Sequence, residues 1–308
     1  MRFSVLDRAA RATGEGFPDV VSHARHVERL GFARFLVAEH HGVPGIPAGQ
    51  PALLAAHVAA HTQRIHVGTG GIMVLNHAPF IVAEQIRLLE TLYPGRIDIG
   101  LGSSVGFTAP IREALGSRPK ERFEAHLGEL LALLDGTPPT PQPADAPTPS
   151  LFLLAGFRSA LTAARFGLGV ILGGPVHTQE AAAKAYRENF APGVLDAPHV
   201  ISSLNIAVAD TEDEARALLL PEAVAKSLSL STGEFPSLDP RPDLEMLTAQ
   251  QRRRVAEVQA HDVFGTPRAV RDCLHAIVQT LGVDEFLVTG DMPDRPGRAR
   301  SEELLAQL

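Results

Sequence analysis

The sequence has a single cysteine, no tryptophan, two tyrosines and no excess of positive charge. One cysteine, Cys273, excludes an internal disulfide. It falls in an amphipathic helical pattern and is expected to be a buried, inert thiol. Lys and Arg number 28 against 35 Asp and Glu, a formal net charge of -7. Nucleic acid and anionic membranes call for a basic face, so neither is the expected partner. The triplet Arg252-Arg253-Arg254 reads as an exposed helix face. No apolar run approaches the roughly 18 residues of a membrane span. Arg8 and Arg11 interrupt the opening residues where a signal peptide would carry its apolar core. These absences lead to the expectation of a cytoplasmic protein. The aromatic content, 5%, excludes no class of small organic substrate.

What is present is alternation. Hydrophobic residues make up 45% of 308, enough for a sizeable core. Short apolar runs read as strands at 3–6, 35–38, 65–68, 96–99, 151–154, 170–172, 203–208 and 285–288. Helical patterns lie between them, at about 18–30, 52–61, 78–92, 120–134, 159–166, 179–189, 212–219 (in a mostly helical stretch to 230) and 266–281. Gly31 sits where a helix C-cap belongs. Six prolines between Gly136 and Ser150 make that stretch an extended surface connection. Alternation resumes beyond it without a change in composition, so one domain over 1–308 is expected. Residues 231–264 read as an irregular insertion. Eight sequential strand–helix units imply an α/β fold, a (β/α)₈ TIM barrel with insertions. A doubly wound open sheet is the structural alternative.

Functional groups in such a barrel gather after the strands. Glu39-His40-His41 follows the second strand, and imidazole suits acid–base work near neutral pH. Neighbouring histidines on an extended chain point to opposite sides, so His40 and His41 are not expected to share a metal ion. No metal site is expected. Gly68-Thr69-Gly70-Gly71 follows the third strand and would let a flat ligand approach the backbone; a plain tight turn is the other reading. Gly100-Leu101-Gly102-Ser103 follows the fourth strand. It is a weak dinucleotide fingerprint, because the third glycine is a residue late and Ala109-Pro110 interrupts the helix that should open there. Ala155-Gly156-Phe157-Arg158-Ser159 opens a helix and is either an anion cradle or an ordinary N-cap by Ser159. His57 and His61 have the helical spacing of a zinc motif without its glutamate, and read as an exposed helix face.

Three of these segments occur together in a recognisable order: Val37-Ala38-Glu39-His40-His41, Val67-Gly68-Thr69-Gly70-Gly71-Ile72, and Pro94-Gly95-Arg96-Ile97-Asp98-Ile99-Gly100-Leu101-Gly102. Their spacing resembles the luciferase-like monooxygenases, the superfamily of the bacterial luciferase α subunit. The resemblance continues through 163–168 and 261–267 and spans nearly the whole chain. It implies a TIM barrel, usually dimeric, that receives reduced FMN from a separate flavin reductase and uses O₂ to oxidise a small organic substrate. His40 matches the family's catalytic histidine. Gly70 and Gly71 match the place where a non-proline cis peptide often lies beneath the flavin ring. Ser159 matches a hydroxyl that holds the flavin phosphate, with Gly156 and Phe157 at the same turn. Gly102 and Ser103 stand where the family commonly has glycine followed by a phosphate-binding arginine. The missing arginine puts flavin affinity in doubt, and Arg158 is the residue placed to compensate. Glu39 and His41 would shape the substrate pocket, with loops 42–50, 103–118 and 231–263. Two alternatives stay open: an F420-dependent hydride-transfer oxidoreductase, and a non-catalytic barrel that binds flavin or a partner.

Overall fold

In a computed structural model, residues 1–106 and 108–308 are described. Position 107, within the 103–118 loop expected to border the substrate, lies outside the described residues. The strands are β1 (Phe3–Asp7), β2 (Arg34–Val37), β3 (His66–Met73), β4 (Ile97–Gly102), β5 (Ser150–Ala155), β6 (Gly169–Leu172), β7 (Val200–Leu204), β8 (Ile206–Val208), β9 (Val263–Gly265) and β10 (Glu285–Val288). The helices are α1 (Val20–Leu30), α2 (Pro51–Ala60), α3 (Pro79–Leu92), α4 (Ala109–Ala114), α5 (Phe123–Leu134), α6 (Phe157–Arg165), α7 (Val176–Glu188), α8 (Glu212–Thr232), α9 (Ala249–Gln259), α10 (Pro267–Leu281) and α11 (Arg295–Leu305). Eight strands close a parallel ring in the order β1-β10-β7-β6-β5-β4-β3-β2. The open sheet is therefore excluded.

The closure follows from which residues each strand turns inward. On β2, Phe35 and Val37 join the large apolar layer under the helices, while Leu36 packs inside the ring with Phe152, Ile171, Ile201 and Leu287. Both faces are covered, which is why the strands read as continuous apolar runs. The floor of the ring is ionic. Arg34 Nε donates to Asp98 Oδ2 at 2.8 Å, its Nη1 donates to Glu285, and Ser4 donates to Glu285 as well. Such a buried group persists only because each charge faces its opposite. Outside the ring, α1 ends where expected: Gly31 takes φ +83° and returns its N–H to Val27 and Glu28.

Several expectations are corrected. The run 203–208 is not one strand. The barrel strand is Val200–Leu204, and Asn205 then leads out of the ring, donating from its side chain to Asp262 Oδ1 at 2.7 Å. Ile206–Val208 pairs instead with Val263–Gly265 in a small parallel sheet. Residues 231–264 are therefore irregular only in part, since they hold α9 and most of β9 beyond an irregular stretch at 233–248. Helix α9 buries only Val255 and lacks an apolar stripe, but Thr248 and Gln251 form a capping box at its start. Pro110 does not interrupt a helix; it sits in the first turn of α4. Cys273 is exposed rather than buried, because α10 buries the stripe Val270, Leu274, Ile277 and Leu281 beside it.

Candidate active site

All eight barrel strands run parallel, so their carboxyl ends share one rim. Register places the expected residues along one arc of it. Val37 of β2 pairs with Thr69 of β3, Gly70 with Gly100 of β4, and Leu101 with Leu153 of β5. Ala155 of β5 pairs with Leu172 of β6. His40, Gly70–Gly71, Gly102–Ser103 and Gly156–Ser159 thus stand on four adjacent strands or immediately after them.

The glycines do not form turns after the strands, as expected, but lie within them. A side chain on Gly68 would place its Cβ 1.5 Å from Asp98 O, and one on Gly71 would stand 2.6 Å from Gly100 O. Glycine here lets the β3 and β4 backbones close up. Gly70 faces inward, where a Cβ would meet Leu6 and Leu36, so the backbone is bare above the inner core. The Gly70–Gly71 peptide is cis.

The Glu39-His40-His41 run divides. The His40 backbone N–H donates to Ala48 O at 2.9 Å, folding loop 42–49 back over the rim. Burial, reinforced by the Arg8 charge, holds the His40 imidazole well below its usual range, at about 4. His40 and His41 line an open cavity of about 400 Å³ with Val43, Ile46 and Gly49. Glu39 does not line it; its side chain is enclosed. Glu39 Oε2 accepts from Met73 N at 2.8 Å. Oε1 lies 2.7 Å from His41 Nε2 and 2.8 Å from His77 Nε2. Burial raises the Glu39 carboxyl, but hydrogen bonds from His77, Met73 N and His41 and the His77 charge outweigh it and hold the group below its usual range. An ionised carboxylate only accepts, so both imidazoles present Nε2–H to it. His77 was not legible as a partner, since it enters 38 residues after Glu39.

On the opposite side of the arc, helix α6 starts two residues earlier than expected. Gly156 is its N-cap, extended and without side-chain capping, and Ser159 sits in the first turn rather than at the cap. Gly156, Phe157 and Arg158 are exposed, and Ser159 is half-buried. Gly173, which donates to Ala155 O at 3.3 Å, brings the end of β6 to the same place. Open space lies over both Gly156 and Gly173. Gly173-Gly174-Pro175, directly after a strand, is the sequence signal for this turn. Ser103 is half-buried at the end of β4.

A second feature missed from sequence closes the rim between β1 and β10. Arg8, just past β1, reaches Glu222 Oε1 at 2.7 Å and Asp291 Oδ2 at 2.5 Å, and Lys226 also pairs with Glu222. Burial pushes Asp291 up to about 6 despite Arg8. An arginine directly after a barrel strand was its one sequence signal.

The sequence pattern of the family described as luciferase-like monooxygenase matches residues 1–285. A "Luciferase-like monooxygenase" of Escherichia coli (strain K12) is 31% identical over 98% of this chain and 95% of its own length. The N-acetyl-S-alkylcysteine monooxygenase of Bacillus subtilis (strain 168) is 27% identical over 99% and 97%. Among solved structures, apo-MsnO8 superposes with a TM-score of 0.86 at 30% identity, covering 99% of this chain and 97% of that one. The oxygenating constituent of 3,6-diketocamphane monooxygenase from Pseudomonas putida, in complex with FMN, gives 0.72 at 16% identity over 100% and 97%. The coenzyme F420-dependent tetrahydromethanopterin reductase of Methanopyrus kandleri gives 0.71 at 16% over 99% and 97%. The last two show the shared fold alone. By pattern, identity and architecture, this chain belongs to the luciferase-like monooxygenase family.

Proposed function

We propose that the chain is a monooxygenase that takes reduced FMN from a separate flavin reductase and uses O₂ to oxidise a small organic substrate. The observation that carries this reading is the arc from β2 to β6, on which an imidazole, a bare glycine backbone and an uncapped helix N-terminus follow one another around one rim. When bound, reduced FMN supplies the two electrons with which one oxygen atom goes to the substrate and the other to water.

The residues present suit that cofactor. Gly70 and Gly71 offer backbone without side chains to a flat ring. The first N–H groups of α6, with the Ser159 hydroxyl and Arg158, suit a phosphate, because a helix N-terminus favours an anion. Arg158 is exposed at the start of α6, so its charge is available to a ligand. This arrangement stands in for the arginine that Ser103 replaces. His40 is neutral near pH 7 and acts as a hydrogen-bonding group or proton acceptor at the reacting edge. His41, held by Glu39, shapes the substrate cavity together with Val43 and Ile46. The Arg8–Glu222–Asp291 group shuts one side of the mouth, which helps to keep water from the reaction.

The fold shared with an F420-dependent reductase supports one rival, hydride transfer without oxygen. Incubation with reduced FMN, isotope-labelled O₂ and a panel of thioethers, ketones and alkenes separates the two. The monooxygenase reading expects a labelled product, and product formation with F420 under anaerobic conditions contradicts it. In the same reading the protein works in the cytoplasm as a homodimer. Exposed Leu53 on α2 and Ile81, Leu88 and Leu92 on α3 support the dimer as an apolar face suited to a second copy.

A further inference from the structure

We propose that Glu39, His41 and His77 form a binding site for one divalent transition-metal ion, of the zinc, cobalt(II) or iron(II) class. Three ligand atoms, Glu39 Oε1, His41 Nε2 and His77 Nε2, lie within 4.8 Å of one another. They come from two separate segments, the end of β2 and the entry to α3, and they converge on one point. Two imidazole nitrogens and one carboxylate oxygen are a borderline donor set, which favours these ions over magnesium or calcium.

The geometry needs a small adjustment. Metal–ligand bonds of about 2.0–2.2 Å in a tetrahedral arrangement set the donor atoms about 3.3 Å apart. The two N···O separations are now 2.7 and 2.8 Å, as hydrogen bonds. An ion entering between them widens each pair by about half an ångström. The anchor is Glu39, whose side chain is fully enclosed and whose second oxygen is braced by Met73 N–H. Such outer support is usual for a ligating carboxylate. The movable parts are the imidazoles, whose side chains keep 12% and 17% of their surface exposed at His41 and His77. That exposure also leaves an entry path and a fourth position for water. Each imidazole that offers its Nε2 lone pair to the ion carries its proton on Nδ1 instead, so no co-reactant is needed. Without an ion the three groups hold one another by hydrogen bonds, so the fold does not require the metal. With an ion, the segment on either side of His40 is tied firmly to the start of α3.

The test uses the full chain, stripped with a chelator and without flavin, titrated with Co²⁺ by visible absorption and with Zn²⁺ by calorimetry. One Co²⁺ per chain with the intense bands of a four-coordinate site is expected, displaced by Zn²⁺. His77→Gln keeps an amide donor for Glu39 but removes the imidazole. It should retain the circular dichroism and melting temperature of the wild type and weaken Co²⁺ binding by at least about tenfold. His41→Gln serves equally if the first variant misfolds. A double variant, His57→Ala with His61→Ala, removes another close histidine pair, whose ring centroids lie 4.6 Å apart, and should leave the bands intact. Absence of Co²⁺ bands in the wild type overturns the proposal. So do bands that survive His77→Gln and His41→Gln but vanish in the His57/His61 variant.

Discussion

Arg34 Nε donates to Asp98 Oδ2 at 2.8 Å across the inside of the ring, from β2 to β4. With Glu285 on its other nitrogen, Arg34 ties three barrel strands at the floor, opposite the rim that carries the candidate active site. Arg34→Met would remove the buried cation that Asp98 and Glu285 share, leaving His66 beside Asp98 and the half-exposed Arg2 3.4 Å from Glu285. A loss of about 3–5 kcal/mol is expected. Urea unfolding of the two proteins checks this, and equal midpoints would remove the floor from the account of stability.

The glycines on and after β3, β4 and β5 should differ sharply in tolerance. Gly68→Ala puts a methyl 1.5 Å from Asp98 O, where backbone must move, and is expected to prevent folding. Gly102→Ala meets nothing nearer than Ile72 O at 3.8 Å, and Gly156→Ala meets open space. Both should fold with melting temperatures within a few degrees of the wild type. Scanning calorimetry on the three variants gives the answer.

These glycines also show where sequence reading reached its limit. Phe35-Leu36-Val37 and Gly31 were legible because a buried strand and a helix cap each leave a local signal. The true lengths of β3 and β4 were not, because glycine reads as a turn when its actual use is close approach between two backbones. Helix α9 was missed because a surface helix that buries only Val255 has almost no apolar period. The break at Asn205 depends on Asp262, far along the chain. At the candidate site, His40 and the Gly156–Ser159 turn were legible from their place after strands. The partnership of Glu39 with His77, and of Arg8 with Glu222 and Asp291, exists only in three dimensions.

Arg158→Ala should weaken FMN binding by about tenfold to a hundredfold, the loss of one charge-assisted contact to phosphate of about 1.5–3 kcal/mol. Riboflavin, which lacks the phosphate, should lose little. Fluorescence titration with both flavins checks it, and equal effects on the two would take Arg158 out of the phosphate site.

His23 gives stability a pH dependence. Its ring nitrogens lie 2.6 Å from Asp7 on β1 and 2.7 Å from Glu302 on α11, with Arg298 also facing it. Burial and Arg298 lower its pKa, but Glu302 and Asp7 outweigh them, and the net shift is upward from 6.5. The folded state therefore binds this proton more tightly. The stabilisation is complete below pH 6.5 and is lost as pH rises through the raised value. The slope on that interval should not exceed about 1.4 kcal/mol per pH unit. Denaturation at a series of pH values should show it in the wild type and not in His23→Gln.

The apolar face of α2 and α3 predicts a concentration-dependent dimer. Leu53 and Leu88 are 73% and 50% exposed in the single chain. The double variant Leu53→Asp with Leu88→Asp should elute as a monomer under light scattering while keeping its circular dichroism. A wild type that is monomeric at every concentration would refute the dimer.

One flat, phosphate-bearing cofactor along the β2-to-β6 arc, beside His40, is what the proposed activity requires. Anaerobic titration with reduced FMN, read by flavin absorbance and fluorescence, addresses this most directly. Saturation at one flavin per chain is predicted, with the subsequent reaction with air slowed or redirected at least about a hundredfold in His40→Ala. No saturable binding of reduced FMN, or His40→Ala behaving as the wild type, would contradict the account.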